Sequence, residues 1–397
     1  MQYASVTDRL ADLGGQKWEI HALARKLANE GHDIIELTIG EPDVPTPPEL
    51  INIASNAMIN GRTGYSNGSG EASLLAALSK RYSTRLGRQI NADQFLCLPG
   101  TQTSLYTVLM GLTETGDEVL VGDPMYATYE GVIAAGGATV APVPLKPENG
   151  FRITAADIEK QITPKSRAIL LNTPHNPTGA ILSRQDILDI CLLAQKHDLW
   201  IISDEVYEEM VYDGEVFTSP LSFPEFSDRV VAVSSISKSH AAPGFRSGWC
   251  VGSAEFKARL LPLAETMLFG NQPFIADMTA EAVSKPSAAA IDMTARFSRR
   301  ADMVFGALNG VSGLQAHRPQ AGMFMLLNVA STGLTGKEFA LDLLEKGGVA
   351  VMPGDSFGTA LTDWVRLGLT TDDESLMKAC QRIVDYVSNR NANKGAA

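Results

Sequence analysis

Short apolar runs rich in β-branched residues recur along this chain between segments of helical length, with few polar interruptions. EVLVG, TVAPVP, AILLN, LWIISD, VVAVSS and SGWCVG read as strands, and SRQDILDICLLAQKHD is one of the helical segments that separate them. A strand that is apolar along its whole length is covered on both faces. Strands of this kind alternating with helices specify an α/β layered fold with a mostly parallel sheet.

Upstream of these runs, KWEIHALARKLANEG reads as a helix closed by Gly31, and DIIELTIG as a strand. The prolines of EPDVPTPPEL forbid both helix and central strand. A helix through SLLAALSKRYSTRLG, the strand FLCL, the turn PGTQ and the helix TSLYTVLMGL then lead into EVLVG. After about Ser284 the pattern changes. A long helical stretch through MTARFSRRADMVFGALNG precedes the strands GMFMLLNV, GVAVMPG and WVRLGLT, interleaved with two helices.

At 397 residues the chain exceeds the usual reach of one core. The expected organisation is a large domain over residues 46–284, built on a mostly parallel seven-stranded sheet flanked by helices. A small α+β domain is expected from residues 1–45 and 285–397. The polar end SNRNANKGAA is expected to fray.

The formal net charge of −12 repels phosphate backbones and anionic lipid, so neither nucleic acid nor a membrane is an expected partner. No uninterrupted apolar stretch approaches the roughly 18 residues of a membrane span. The opening MQYASVTDRLADLGGQKWEI lacks the basic and apolar regions of a secretory leader. Cys97, Cys191, Cys250 and Cys380 are scattered without a CxxC pair. They are expected to be buried reduced thiols of a cytoplasmic protein, with no metal bound.

In an open parallel sheet, ligands bind beyond the carboxyl ends of the strands. NTPHNPTG follows AILL, Asp204, Glu205 and Tyr207 follow WIIS, and ISKSHAAPGFR follows VVAVSS. Three strands therefore deliver an asparagine, an aspartate with a tyrosine, and a lysine with an arginine to one crevice. The turn PGTQTS adds a helix N-terminus suited to a phosphate. An amine, an anion and a phosphate cradle together point to pyridoxal 5′-phosphate. Lys238 supplies the amine, Asp204 the partner of the ring nitrogen, and Asn176 and Tyr207 the donors to the phenolate. Ser235, Ser237 and Arg246 close around the phosphate with Gly100, Thr101 and Gln102. Lys238, Asp204 and Tyr207 form the expected catalytic set.

IGEPDVPTP, GYSNGSGEASL, LPGTQTSLY, DPMYATYE, NTPHNPTG, SDEVY, SISKSHAAPGFRSGW and VRLGL stand in one order along nearly the whole chain. With these the sequence resembles the class I/II aminotransferases, which are pyridoxal-phosphate enzymes of fold type I. The resemblance implies that Lys238 also moves the proton at the substrate α-carbon. It implies that Tyr126 lies on the pyridine ring and that Tyr65 reaches the phosphate of a neighbouring subunit, which makes the active unit a homodimer. Arg366 matches the arginine that forks onto the substrate α-carboxylate, with Gly40 and Asn176 beside it. The expected substrates are an amino acid and a 2-oxo acid.

Several stretches look most like arginine–pyruvate transaminases. Dicarboxylate-specific members often carry a lysine in the phosphate turn, where this chain has Gln102. An aspartate or aromatic transaminase remains an alternative, as do a C–S β-lyase or a decarboxylase on the same scaffold. GYSNG fits the hydrolase pattern G-x-S-x-G but follows no strand, and the glycosylation pattern at Asn67 has no meaning without secretion. His175 has no partner visible in the sequence and is expected to pack locally.

Overall fold

The computed structural model describes residues 1–11, 13, 15–212, 214–268 and 270–394. In chain order its strands are β1 (Ile35–Glu36), β2 (Phe95–Leu98), β3 (Glu118–Asp123), β4 (Thr139–Pro144), β5 (Ser166–Asn172), β6 (Trp200–Asp204) and β7 (Val230–Ser235). β8 (Gly248–Val251), β9 (Gln315–His317), β10 (Phe324–Asn328), β11 (Val349–Ala350), β12 (Met352–Pro353) and β13 (Trp364–Gly368) complete them.

Seven strands form the central sheet in the order β2-β8-β7-β6-β5-β3-β4. Only β8, between β7 and β2, runs against its neighbours. The fold is thus α/β with a mostly parallel seven-stranded sheet, as the apolar runs require. Alternate residues of one strand serve different cores. Ile169 and Leu171 of β5 belong to one buried cluster, and Ala168 and Leu170 to another on the opposite face. Burying each of the Ile169, Leu170 and Leu171 side chains stabilises the fold by about 1.5–3 kcal/mol. Covering both faces is what keeps these strands apolar throughout.

β3 leads outward to β4, whereas β5 leads the other way to β6. The order therefore reverses between β3 and β5, and a crevice opens beyond their carboxyl ends.

A third buried cluster joins Ile20, Ala24, Ile35 and Leu37 to Phe297, Met325, Leu327, Val365, Leu367 and Ile383. It lies about the four-stranded sheet β12-β13-β10-β9 and the helices Ala288–Leu308 and Asp373–Lys394.

Several local expectations give way to tertiary context. Of DIIELTIG only Ile35–Glu36 is strand, paired parallel to β11. GVAVMPG divides at Val351, because Val349–Ala350 pairs with β1 and Met352–Pro353 crosses to β13. β9 was not visible as a strand in the sequence pattern. The helix Ser5–Leu10 lies against Tyr129–Ala135, where Arg9 Nε donates to Ala134 O over 3.1 Å, rather than against the C-terminal part. Of SNRNANKGAA, Ser388–Lys394 continue the final helix, which follows the buried Val387. Residues 395–397 lie outside the described residues.

The four cysteines are buried and unpaired, and burial pushes the Cys191, Cys250 and Cys380 thiols up to about 12. Among the described residues no helix is long and apolar enough to cross a membrane.

Candidate active site

A cavity of about 270 Å³ opens beyond the carboxyl ends of β3, β5, β6 and β7. Asp204, the last residue of β6, forms part of its floor and is 4% exposed. The Tyr129 hydroxyl donates to its Oδ2 over 2.8 Å, and the Val206 N–H to its Oδ1 over 3.2 Å. Burial nevertheless pushes the carboxyl up to about 6, with the neighbouring Glu205 adding to the rise. A buried carboxylate of this kind calls for a cation in the cavity.

The loop after β5 is pinned from below. Asn172 Nδ2 donates to Asp204 O over 3.2 Å, and Asn172 Oδ1 accepts the Asn176 N–H over 2.7 Å. This brings the Asn176 side chain into the cavity, where its Oδ1 accepts from Arg366 Nη1 over 3.0 Å. Tyr207 also lines the cavity, and burial holds its phenol above the ordinary range.

Lys238 enters from the turn after β7. Its Nζ donates to Gly40 O over 2.5 Å. Burial pulls the amine down to about 8, against the opposing charge of Glu41. An amine near neutrality is a usable nucleophile and proton carrier.

The helix Gly100–Leu112 points its first turn at the other end of the cavity, and Pro99 before it offers no side-chain cap. Its first N–H groups and dipole therefore favour an anion there. Thr101 Oγ1 donates to Ser235 Oγ over 2.9 Å, and the Ser237 N–H donates to the same hydroxyl over 3.3 Å. Arg246 closes this end, donating to Pro243 O over 2.8 Å and Pro99 O over 3.4 Å. Gly100 has φ 83°, and a Cβ there would lie 2.3 Å from Arg246 Nη2, so only glycine leaves the guanidinium its place. A guanidinium beside the positive end of a helix favours an anion between them. Gln102 borders the same end and accepts from Thr128 Oγ1 over 2.9 Å.

Arg366, on β13, forms the opposite wall. Its guanidinium carbon lies 3.8 Å from the Phe324 ring centroid and 4.5 Å from that of Phe357. Nη2 donates to Thr38 O over 2.7 Å, whereas Nε is buried with no partner among the described residues. Among the described residues no carboxylate lies within 4.0 Å of it, and burial pulls the guanidinium down to about 10. This is a second anion site, stacked and pre-oriented.

Gly40 borders the cavity because Phe324 crowds it: a Cβ would lie 2.1 Å from that ring. Its carbonyl accepts from Lys238. Tyr126 lines the wall edge-on to Tyr129, with ring centroids 5.6 Å apart. Gly100 backs Thr101 without lining the cavity. Tyr65 stands outside it, 95% exposed. His175 is bonded to Thr178 through Nδ1 at 2.7 Å, and burial holds it down at about 4, which keeps it neutral.

Sequence reasoning missed Tyr129, Asn172, Trp18, Phe324 and Phe357. Tyr129 sits three residues after Tyr126 in DPMYATYE, and Asn172 ends AILLN, so both were within quoted motifs. Trp18, Phe324 and Phe357 carry no local signal, since their place depends on three distant segments converging.

One amine, one buried carboxylate and two anion sites thus converge. Residues 32–383 match the family described as aminotransferase class I and II. The chain belongs to that family. It is 41% identical to arginine–pyruvate transaminase AruH of Pseudomonas aeruginosa, over 96% of this chain and 97% of that one. It is 34% identical to aromatic-amino-acid aminotransferase 2 of Thermococcus litoralis, over 90% and 92%. The solved aspartate aminotransferase of Rhizobium meliloti superposes with a TM-score of 0.92 at 28% identity, covering 98% of this chain and 99% of that one. This aminotransferase is therefore an enzyme that exchanges amino groups between amino acids and 2-oxo acids.

Proposed function

We propose that the enzyme works with pyridoxal 5′-phosphate held by Lys238, taking an amino group from an L-amino acid and passing it to a 2-oxo acid in a second half-reaction. The reading rests on one juxtaposition: Lys238, the buried carboxylate of Asp204 and the Arg246–helix anion site border a single cavity. When bound, the cofactor supplies a reactive aldehyde carbon and a ring that withdraws electrons from the substrate α-carbon.

The donor set fits that group. Asp204 would pair with the protonated ring nitrogen, which would remove the penalty of its own burial. Asn176 and Tyr207 donate to the phenolate. Thr101, Gln102, Ser235, Ser237 and Arg246 hold the phosphate against the uncapped helix, with Gly100 leaving room behind. Tyr126 covers the ring. Arg366 forks onto the substrate α-carboxylate beside Gly40 and Asn176. Lys238 would hold the cofactor through its Nζ and, as a free amine, would carry the proton at the substrate α-carbon; its low basicity suits both tasks.

Arginine is the proposed donor and pyruvate the proposed acceptor, supported by the similarity to the Pseudomonas aeruginosa enzyme. Gln102, in a turn without lysine, speaks against an aspartate donor. The proposed active unit is a homodimer in which Tyr65 completes the phosphate site of its partner. Support comes from the exposed Ile51, Met58 and Ile59 on the helix Pro48–Ile59, close in sequence to the exposed Tyr65. The unpaired thiols fit a cytoplasmic setting.

The test is a panel of amino acids with pyruvate and with 2-oxoglutarate, read as new 2-oxo acid and new amino acid. Arginine with pyruvate is expected to give the highest kcat/KM. Ammonia released without an acceptor overturns the transamination reading in favour of a lyase.

A further inference from the structure

We infer that Asp123 is a positioning residue for the substrate carboxylate, acting on Arg366 through the loop 354–361. The inference rests on the proposed role of Arg366.

Asp123 ends β3 and is buried. Its Oδ2 accepts the Thr359 hydroxyl over 2.9 Å and its Oδ1 the Ala360 N–H over 3.3 Å. The loop backbone passes so close that a Cβ on Gly358 would lie 1.9 Å from Oδ1. Two residues on, the Met125 N–H donates to Phe357 O over 2.7 Å. The Phe357 ring is one of the two faces that enclose the Arg366 guanidinium. The same segment after β3 carries Tyr126 and Tyr129. One carboxylate therefore ties the wall bearing the aromatic residues to the wall bearing the arginine.

Among the described residues no cation lies within 4.0 Å of Asp123. Its bonds go to a hydroxyl and a main-chain N–H, donors whose value is geometric. The loop has a second anchor: Ser356 Oγ donates to Lys17 O over 3.3 Å, and Lys17 Nζ reaches Ala127 O over 3.1 Å. Losing the Asp123 bonds would free Gly358–Ala360 first and shift Phe357 with them. Arg366 would then lose a stacking face while keeping its bonds to Asn176 and Thr38. Its fork would tilt, and ground-state and transition-state binding of the carboxylate would weaken alike.

The experiment measures kcat and KM for the best amino donor of the panel, using holoenzyme, with cofactor content and melting temperature as controls. Asp123→Ala is expected to raise KM about tenfold with kcat within about threefold, the pattern of lost uniform binding. Asp123→Asn, which keeps an acceptor for the Ala360 N–H, is expected to recover most of the loss. Thr359→Val, an exposed change, should raise KM in the same direction by less. In an Arg366→Ala background Asp123→Ala should add little, because both act on one contact. A fall in kcat at unchanged KM, cofactor loss, or full additivity with Arg366→Ala overturns the inference. If Asp123→Ala does not fold, Thr359→Val decides: unchanged KM overturns. If Arg366→Ala itself leaves KM unchanged, the carboxylate reading fails instead.

Discussion

The Tyr129 hydroxyl stands 2.8 Å from Asp204 Oδ2, and both side chains are buried. Among the described residues the phenol supplies one of two protein hydrogen bonds that favour the ionised form of this carboxylate. Removing it with Tyr129→Phe takes away a bond to a charged group worth about 1.5–3 kcal/mol. The cofactor dissociation constant is expected to rise about tenfold, with KM for the amino donor little changed. Fluorescence titration of the cofactor-free protein measures the first quantity. Unchanged affinity would mean that Tyr129 only packs.

Asp204 also sets a stability exchange. Burial pushes its carboxyl up to about 6 in the fold against an ordinary 3.8, so in the cofactor-free protein its contribution to stability is fully present below about pH 4 and is lost as pH rises from there through 6. That difference corresponds to about 3 kcal/mol at neutral pH. Asp204→Asn is therefore expected to melt higher than the parent when both lack cofactor, while losing nearly all turnover. Calorimetry at pH 7.5 reads the sign; a lower melting temperature contradicts it.

Lys238 titrates near 8 because its amine is buried. Only the unprotonated amine attacks an aldehyde. The rate at which cofactor-free protein takes up pyridoxal 5′-phosphate is expected to climb with pH and level off above about 8. Stopped-flow absorbance follows it. An inflection near the ordinary lysine value of 10.5 would mean that the amine is exposed in solution.

Tyr65 and Lys238 are expected to serve one site from two chains. Neither Tyr65→Ala nor Lys238→Ala should be active alone. Mixed by unfolding and refolding together, they should regain about a quarter of the parent activity, since half of the dimers carry one intact site of two. No recovery after mixing would place Tyr65 in its own chain's site or outside catalysis.

Much of this was legible in the sequence. The buried strands β5 and β7 follow AILLN and VVAVSS, because a strand covered on both faces is written as an unbroken apolar run, whereas TVAPVP forms the edge strand β4, in which Val143 alone of its described residues is buried. Lys238, Asp204 and Asn176 were visible because each follows or ends such a run. What escaped depends on contacts between segments far apart. GVAVMPG reads as one strand, yet Val351 is where the chain leaves one sheet for another. Phe324 and Phe357 become functional only because Arg366 lies between them, and the sequence has no signal for that convergence. Tyr129 was within reach, in the same motif as Tyr126, but only the carboxylate beneath it explains its role.

Covalent capture tests the account at its centre. Holoenzyme reduced with borohydride, digested and read by mass spectrometry is expected to carry one phosphopyridoxyl group per chain, on the peptide containing Lys238. The Lys238→Ala protein should carry none and lack turnover. A label on another lysine, or an unlabelled chain that still exchanges amino groups, would contradict the assignment of the site.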